Sequence, residues 1–63
     1  MIEPEYTIGD KVYLNLPDSE QGIVVDIFYS YRKNELSYVI KTDYGVETIH
    51  LEFELTNKKP LDI

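Results

Sequence analysis

A chain of 63 residues with twelve Asp and Glu against six Lys and Arg carries a formal net charge of −6. This length is that of one domain, and the lack of cysteine and the single histidine exclude disulfides and thiolate metal sites and disfavour a structural zinc site. An acidic surface repels phosphate backbones and anionic lipids, so we expect neither nucleic acid nor a membrane as a partner.

The first half of the chain predicts one strand between two irregular segments. Residues 1–5 contain Pro4 and are predicted to form a flexible lead-in. A Gly9-Asp10 turn signal precedes residues 11–14, a short strand that places Val12 and Leu14 on one face, which we predict to be buried. Residues 15–21, NLPDSEQ, have the composition of a loop.

Residues 22–42 predict the central antiparallel hairpin of the domain. GIVVDIFY and LSYVIKT are rich in β-branched and aromatic residues, and the tip between them is YSYRKNE, residues 29–35. Both faces of the first strand are apolar, so alternation alone leaves its buried side open. We favour Val24 and Ile27 inside, with a bulge near Val25 or Asp26 and with Gly22 allowing a close backbone approach. On the second strand the predicted core residues are Leu36, Tyr38 and Ile40.

The remaining residues complete a small all-β domain. A turn at residues 42–45, in which Gly45 supplies a positive φ, leads to a strand at 46–51. Residues 51–55 suit either a strand or one 3₁₀ turn before a last short strand at 55–56, and residues 58–63 form a tail. Five short strands with turns every ~8–12 residues indicate a small barrel or sandwich.

Five short motifs follow one another along the chain. The motifs are Gly9-Asp10-Lys11-Val12, Gly22-Ile23-Val24, Tyr38-Val39-Ile40, Asp43-Tyr44-Gly45 and Glu54-Leu55-Thr56. Together they resemble an SH3-like barrel, most closely the short, free-standing SH3-like proteins of bacteria and phages, and less closely KOW and Tudor modules. The resemblance implies a five-stranded SH3-like barrel over residues 6–57. The chain departs from basic, RNA-binding KOW modules by its acidity, and from proline-motif-binding SH3 domains by its lack of tryptophan.

Catalysis and metal binding are not indicated. His50 is the only histidine and belongs to no triad or metal motif, and Glu47, Glu52 and Glu54 do not have the spacing of a calcium loop. We therefore expect no enzyme and no cofactor. The N-terminus has neither a basic nor an apolar run, and no apolar stretch approaches the ~20 residues of a membrane span, so we expect a cytoplasmic protein.

Six tyrosines are many for a barrel of this size. Tyr38 is predicted to lie in the core, whereas Tyr6, Tyr13, Tyr29, Tyr31 and Tyr44 are predicted to be partly exposed. They either cover barrel edges or form a contact face beside acidic loops, which would suit a basic peptide or protein.

The sequence thus predicts a non-catalytic module that binds a protein or peptide partner. The predicted binding residues belong to the hairpin tip and the first long loop; they are Tyr29, Tyr31, Arg32, Leu16, Pro17, Asp18 and Glu20. One alternative is nucleic-acid binding, in which Arg32 and Lys33 contact phosphates while Tyr29 and Tyr31 stack on bases. Another is that the acidic surface mimics the charge of a nucleic acid. The sequence indicates neither the partner's identity nor an oligomeric state.

Overall fold

The structure is a computed structural model that describes residues 3–14 and 20–58, and within these residues it is all-β, as predicted. The strands are β1 (Lys11–Leu14), β2 (Gln21–Ser30), β3 (Glu35–Thr42), β4 (Glu47–Leu51) and β5 (Leu55–Thr56), and a 3₁₀ turn occupies Glu52–Glu54. In the described part of the chain no helix has the length and hydropathy of a membrane span.

All five strands belong to one antiparallel sheet in the order β4-β3-β2-β1-β5. The long strand β2 is central: its first residues pair with both β1 and β3, and its later residues pair with β3 alone. Between Val24, opposite Ile40, and Asp26, opposite Val39, the register shifts, so Val25 is the extra residue of a bulge. The bulge predicted near Val25 or Asp26 is confirmed.

The sheet curls around one hydrophobic core, although the edge strands β4 and β5 do not pair with each other in the described residues. The buried apolar side chains are Tyr6, Val12, Leu14, Val24, Leu36, Tyr38, Ile40 and Leu55, and Ile27 and Tyr29 pack against them. These side chains come from four strands and the segment before β1. The seven core positions predicted on β1, β2 and β3 are therefore confirmed.

At Gly22 the neighbouring strand β3 approaches the backbone of β2 closely. It is buried and lies opposite Val12 of β1 and Thr42 of β3. A Cβ atom at this position would overlap Cγ2 of Ile40 and lie 2.9 Å from the carbonyl oxygen of Lys41. The close backbone approach predicted for Gly22 is thus confirmed.

Tyr6 corrects one prediction of partial exposure. Only 6% of its surface is exposed, because its ring packs edge-on against Tyr38 with centroids 5.4 Å apart. Its hydroxyl donates a hydrogen bond of 3.2 Å to the carbonyl oxygen of Leu55, 49 residues away. The segment before β1 therefore ties the core to β5.

The predicted connections are found with small shifts in their ends. The 3₁₀ turn and the two-residue strand β5 are confirmed, and Gly45 has a φ of 82° in the β3–β4 turn. The hairpin tip is shorter than predicted, because β2 continues to Ser30 and β3 begins at Glu35. The predictions of a flexible lead-in at 1–5 and a tail at 58–63 stay predictions, and residues 59–63 lie outside the described residues.

Candidate functional site

The tip of the β2–β3 hairpin is a four-residue turn, Tyr31 to Asn34, whose local sequence explains its shape. Asn34 has a positive φ of 52°, a conformation that asparagine adopts more readily than most residues. The backbone N–H of Lys33 donates a hydrogen bond of 3.3 Å to Oγ of Ser30. The polar residues of the tip therefore close the turn themselves and leave Tyr31, Arg32 and Lys33 exposed.

Tyr29, near the end of β2, and Tyr31 of the tip form a pair. The rings of Tyr29 and Tyr31 meet edge to face at 87° with centroids 4.8 Å apart. The Tyr29 hydroxyl donates a hydrogen bond to Oδ1 of Asn34, which fixes the inner ring of the pair. Tyr31 is 80% exposed, so an aromatic face held in place by Tyr29 is open to solvent.

The predicted binding residues are only partly brought together. Tyr31 and Arg32 lie in the tip, and Tyr29 lies beside them at the end of β2. Glu20 is exposed at the opposite end of β2, where its carbonyl oxygen accepts a hydrogen bond from the Leu14 N–H. The other three predicted residues, Leu16, Pro17 and Asp18, lie outside the described residues. Among the other tyrosines, Tyr44 is 86% exposed in the β3–β4 turn and Tyr13 is half-buried.

A groove of about 390 Å³ lies beside the tip, and we call it the acidic groove. Its lining comes from the segment before β1, from the start of β3 and from the β4–3₁₀ junction: Glu5, Asn34, Glu35, Leu36, Leu51, Glu52 and Phe53. Three of these residues are carboxylates and three are apolar, and among the described residues no Lys or Arg lines the groove. Asn34 belongs to both the groove and the tip, so the Tyr29–Tyr31 pair and the groove are parts of one surface.

The Glu52 carboxylate in this groove is held by a buried hydroxyl. The fully buried Tyr38 donates a hydrogen bond of 2.6 Å to Oε2 of Glu52. The backbone N–H of Glu5 lies 3.1 Å from the Tyr38 hydroxyl and 3.3 Å from the same Glu52 oxygen. These bonds draw the segment before β1, the middle of β3 and the 3₁₀ turn together around one carboxylate.

Burial and this carboxylate also fix the protonation of Tyr38. Burial first, and then the hydrogen bond to Glu52, raise the pKa of Tyr38 from its usual value of 10 to about 12. Burial, with the charges of Glu5 and Glu52, also raises the pKa of Tyr6. Tyr38 is therefore a neutral hydrogen-bond donor at physiological pH.

The acidic groove combines an apolar wall with negative charge, which suits a basic side chain. Leu36 is buried and Leu51 is half-buried, so both offer apolar surface to an aliphatic stem, while Glu35 and Glu52 attract its charged end. Phe53 is 76% exposed at the rim, where its ring can contact a cation or an apolar residue. Burial of a Lys or Arg stem here would remove apolar surface from water without leaving the charge unpaired.

Sequence reasoning did not find the acidic groove. The 3₁₀ turn was predicted, but its exposure of Phe53 follows from how the turn packs at the end of β4, which local sequence does not report. The meeting of Glu5 with Glu52 joins residues 47 positions apart. The sequence LEFE offered one signal, because Phe53 stands between two glutamates, a residue type that is almost never fully buried unless it is paired.

The histidine and the three glutamates considered above for catalysis or metal binding do not form one site. Glu47 lies on β4, Glu52 faces the acidic groove, and Glu54 accepts a hydrogen bond of 2.8 Å from the Leu51 N–H. His50 is half-buried, with Nε2 2.7 Å from Oγ1 of Thr48. Within residues 3–14 and 20–58, no group of three or more His, Asp or Glu side chains is placed to hold a metal ion.

The chain was compared with protein families, curated proteins and solved structures. No protein-family model matches the chain, and neither the curated proteins nor the solved structures contain a match. Functional reasoning therefore rests on the surfaces themselves.

Proposed function

We propose that this protein is a small non-catalytic interaction module that binds a basic segment of a protein partner in the acidic groove. The observation that carries the proposal is the lining of the groove, in which three carboxylates surround Leu36, Leu51 and the exposed Phe53. A Lys or Arg side chain of the partner would lie along the apolar wall with its charge between Glu35 and Glu52. The Tyr29–Tyr31 pair would extend the contact on the side of the hairpin tip.

The proposal includes an SH3-like architecture for the domain. It is supported by the strand order, by the 3₁₀ turn between the last two strands and by the sequence motifs described above. A cytoplasmic location and a bacterial or phage origin belong to the same proposal. The net charge of −6 would steer a basic partner toward the module and discourage acidic ones.

Binding to lysine- and arginine-containing peptides tests this function directly. Fluorescence anisotropy with arrayed twelve-residue peptides, in which Lys or Arg stands among apolar residues, would compare the wild type with Phe53→Ala and Glu35→Gln. We expect each substitution to weaken the best peptide about tenfold, because each removes one side of the proposed pocket. Tyr31→Ala should weaken it less, because Tyr31 lies at the edge of the contact.

Two matched variants at the other end of β3 control for general effects. Tyr44→Ala removes an equally exposed aromatic ring, and Asp43→Asn removes an exposed carboxylate, both from the β3–β4 turn. Both should leave the affinity unchanged within twofold. Equal losses in the control and groove variants would show that net charge or overall surface, and not the acidic groove, binds the peptide.

Nucleic-acid binding through the tip stays the alternative, since Tyr31, Arg32 and Lys33 are exposed together. It predicts capture of single-stranded DNA or RNA that weakens steeply with salt and is lost on mutation of Arg32 and Lys33 to Ala. Capture of a protein from host lysate that survives nuclease treatment but fails with Phe53→Ala would favour the peptide-binding function. Capture that disappears with nuclease would favour the alternative.

A further inference from the structure

A second contact surface lies on the outer face of the sheet, away from the acidic groove. It is a groove of about 440 Å³ on β2, β3 and β4, which we call the outer groove, lined by Val25, Asp26, Phe28, Val39, Glu47 and Ile49. Phe28 is 51% exposed and Ile49 is 67% exposed, although both are strand residues that could have been polar at no cost to the core. Phe28, Val39 and Ile49 thus give this groove an exposed apolar part between two carboxylates.

The bulge in β2 shapes this surface. Because Val25 is the extra residue, Val25 and Asp26 both line the outer groove although they are consecutive. Across the sheet, Asp26, Val39 and Ile49 are directly opposed on neighbouring strands. The result is an apolar strip with one carboxylate on β2 and another, Glu47, on β4.

The strand at the border of the outer groove, β4, is an edge strand within residues 3–14 and 20–58. β3 is its one neighbour in the described sheet. The Thr42 N–H donates a hydrogen bond of 2.9 Å to the Val46 carbonyl oxygen, so the alternation of an antiparallel ladder directs the backbone groups of Thr48 and His50 toward β3. The N–H and C=O groups of Glu47 and Ile49 therefore point away from the sheet, toward the position of a further strand.

We propose that β4 accepts an added antiparallel strand from a partner peptide with an apolar residue followed two positions later by Lys or Arg. Opposite Ile49, the added strand would place its apolar residue beside the outer groove. Two residues further along an antiparallel strand lies the position opposite Glu47. Lys41 of β3 already faces Glu47 from one side, and a basic residue of the added strand would face it from the other. This surface is separate from the acidic groove, so the inference stands or falls independently of the proposed function.

Charge complementarity selects this occupant over a second copy of the chain. Two copies would each bring a net charge of −6, and pairing two β4 strands around Ile49 would set no basic residue against Glu47, since residue 51 is Leu. The two charged residues that line the outer groove are both acidic. A basic residue opposite Glu47 pairs with that carboxylate, while the apolar residue of the same strand covers Ile49.

The test uses two synthetic nine-residue peptides of identical composition in a threonine background. One separates a valine and a lysine by one residue, which places them on the same face of a strand; the other makes them adjacent, which places them on opposite faces. Two-dimensional NMR of the ¹⁵N-labelled protein should show shifts confined to β4, Phe28 and Val39 with the first peptide. Amide exchange at Glu47 and Ile49 should slow at least tenfold at saturation, because these N–H groups gain acceptors.

Three variants and a control make the test specific. Glu47→Lys and Ile49→Thr should each weaken the first peptide at least fivefold, whereas Ile8→Thr, which changes an isoleucine of similar exposure away from this face, should not. Ile49→Pro should also abolish binding, since it removes an N–H that faces away from β3. Should that variant fail to fold, Glu47→Lys and Ile49→Thr still decide the question.

Several results would overturn the inference. Equal affinity for the two peptides would show that strand register plays no part, and no binding of either at millimolar concentration would exclude strand addition. Shifts at Glu35 and Phe53 that disappear in Phe53→Ala would assign the peptide to the acidic groove, supporting the proposed function and refuting this one. Concentration-dependent dimerisation of the free protein, lost in Ile49→Thr, would make a second copy the occupant.

Discussion

The two faces of the sheet formed by β2, β3 and β4 are both apolar, yet only one is protected from water. On the inner face Val24, Tyr38 and Ile40 are completely buried, whereas on the outer face Phe28 and Ile49 are more than half exposed. The difference arises because β1, β5 and Tyr6 close over the inner face, and no described residue closes over the outer one. Hydrophobic composition alone therefore does not identify the core, and the apolar side chains left outside are those available for contact.

Replacing one isoleucine on each face gives the sharpest test of this comparison. Ile40→Ala should lower the free energy of unfolding by about 2–5 kcal/mol, because it leaves a cavity among fully buried neighbours. Ile49→Ala should change it by less than about 0.5 kcal/mol, because the side chain is 67% exposed. Urea denaturation followed by tyrosine fluorescence measures both values.

The first of these variants could unfold completely, since a 63-residue domain has a total stability of only about 3–9 kcal/mol. Ile40→Val, with an expected loss of about 0.5–1.5 kcal/mol, keeps the comparison measurable. Equal losses at the two positions would mean that the outer face contributes to stability as the core does, and that it is not free for binding.

A substitution at Gly22 tests how closely β3 approaches the backbone of β2. Gly22→Ala should cost about 1–3 kcal/mol, because the added methyl group meets the buried Ile40 side chain and the carbonyl oxygen of Lys41, which belongs to the backbone. Thermal unfolding followed by circular dichroism would show the loss. A variant as stable as the wild type would contradict the close approach.

Tyr38 joins the inner face to the acidic groove through its hydroxyl. Tyr38→Phe should destabilise the protein by about 1–2 kcal/mol, because the Glu52 carboxylate loses its buried donor. Chemical denaturation at neutral pH measures this loss, and Tyr29→Phe, which also removes one hydrogen-bonded hydroxyl but from the exposed tip, is the control.

The contribution of Tyr38 to folding stability also depends on pH, in a direction that its pKa defines. The folded-state pKa of Tyr38, about 12, is above the unfolded value of 10, so its stabilising contribution is fully present below pH 10 and is lost as the pH rises toward 12. The loss amounts to about 2 kcal/mol by pH 12. Tyr38→Phe should show a shallower alkaline decline, with the part due to Tyr6 remaining. An unchanged decline would show that Tyr38 does not titrate with folding.

Much of the fold follows from the sequence because it depends on local chemistry. The alternation of Leu36, Tyr38 and Ile40 placed the core face of β3, and the turn residues Gly9-Asp10 and Gly45 marked where strands end. Even the bulge in β2 was predictable, since a strand that is apolar on both faces must change the side it buries. Each of these features depends on residues that are close together in the sequence.

Tertiary structure alone decided which side chains are exposed together on one surface. Tyr6 is buried because the curled sheet brings Tyr38 and Leu55 to it, and the acidic groove exists because Glu5 and Glu52 meet across 47 positions. Ile49 is exposed because no described element covers its face of the sheet. The alternation of apolar and polar residues along β4 would be the same if that face were buried. The sequence by itself determined strands, turns and most of the core, whereas the grooves arise from long-range packing, which no local pattern encodes.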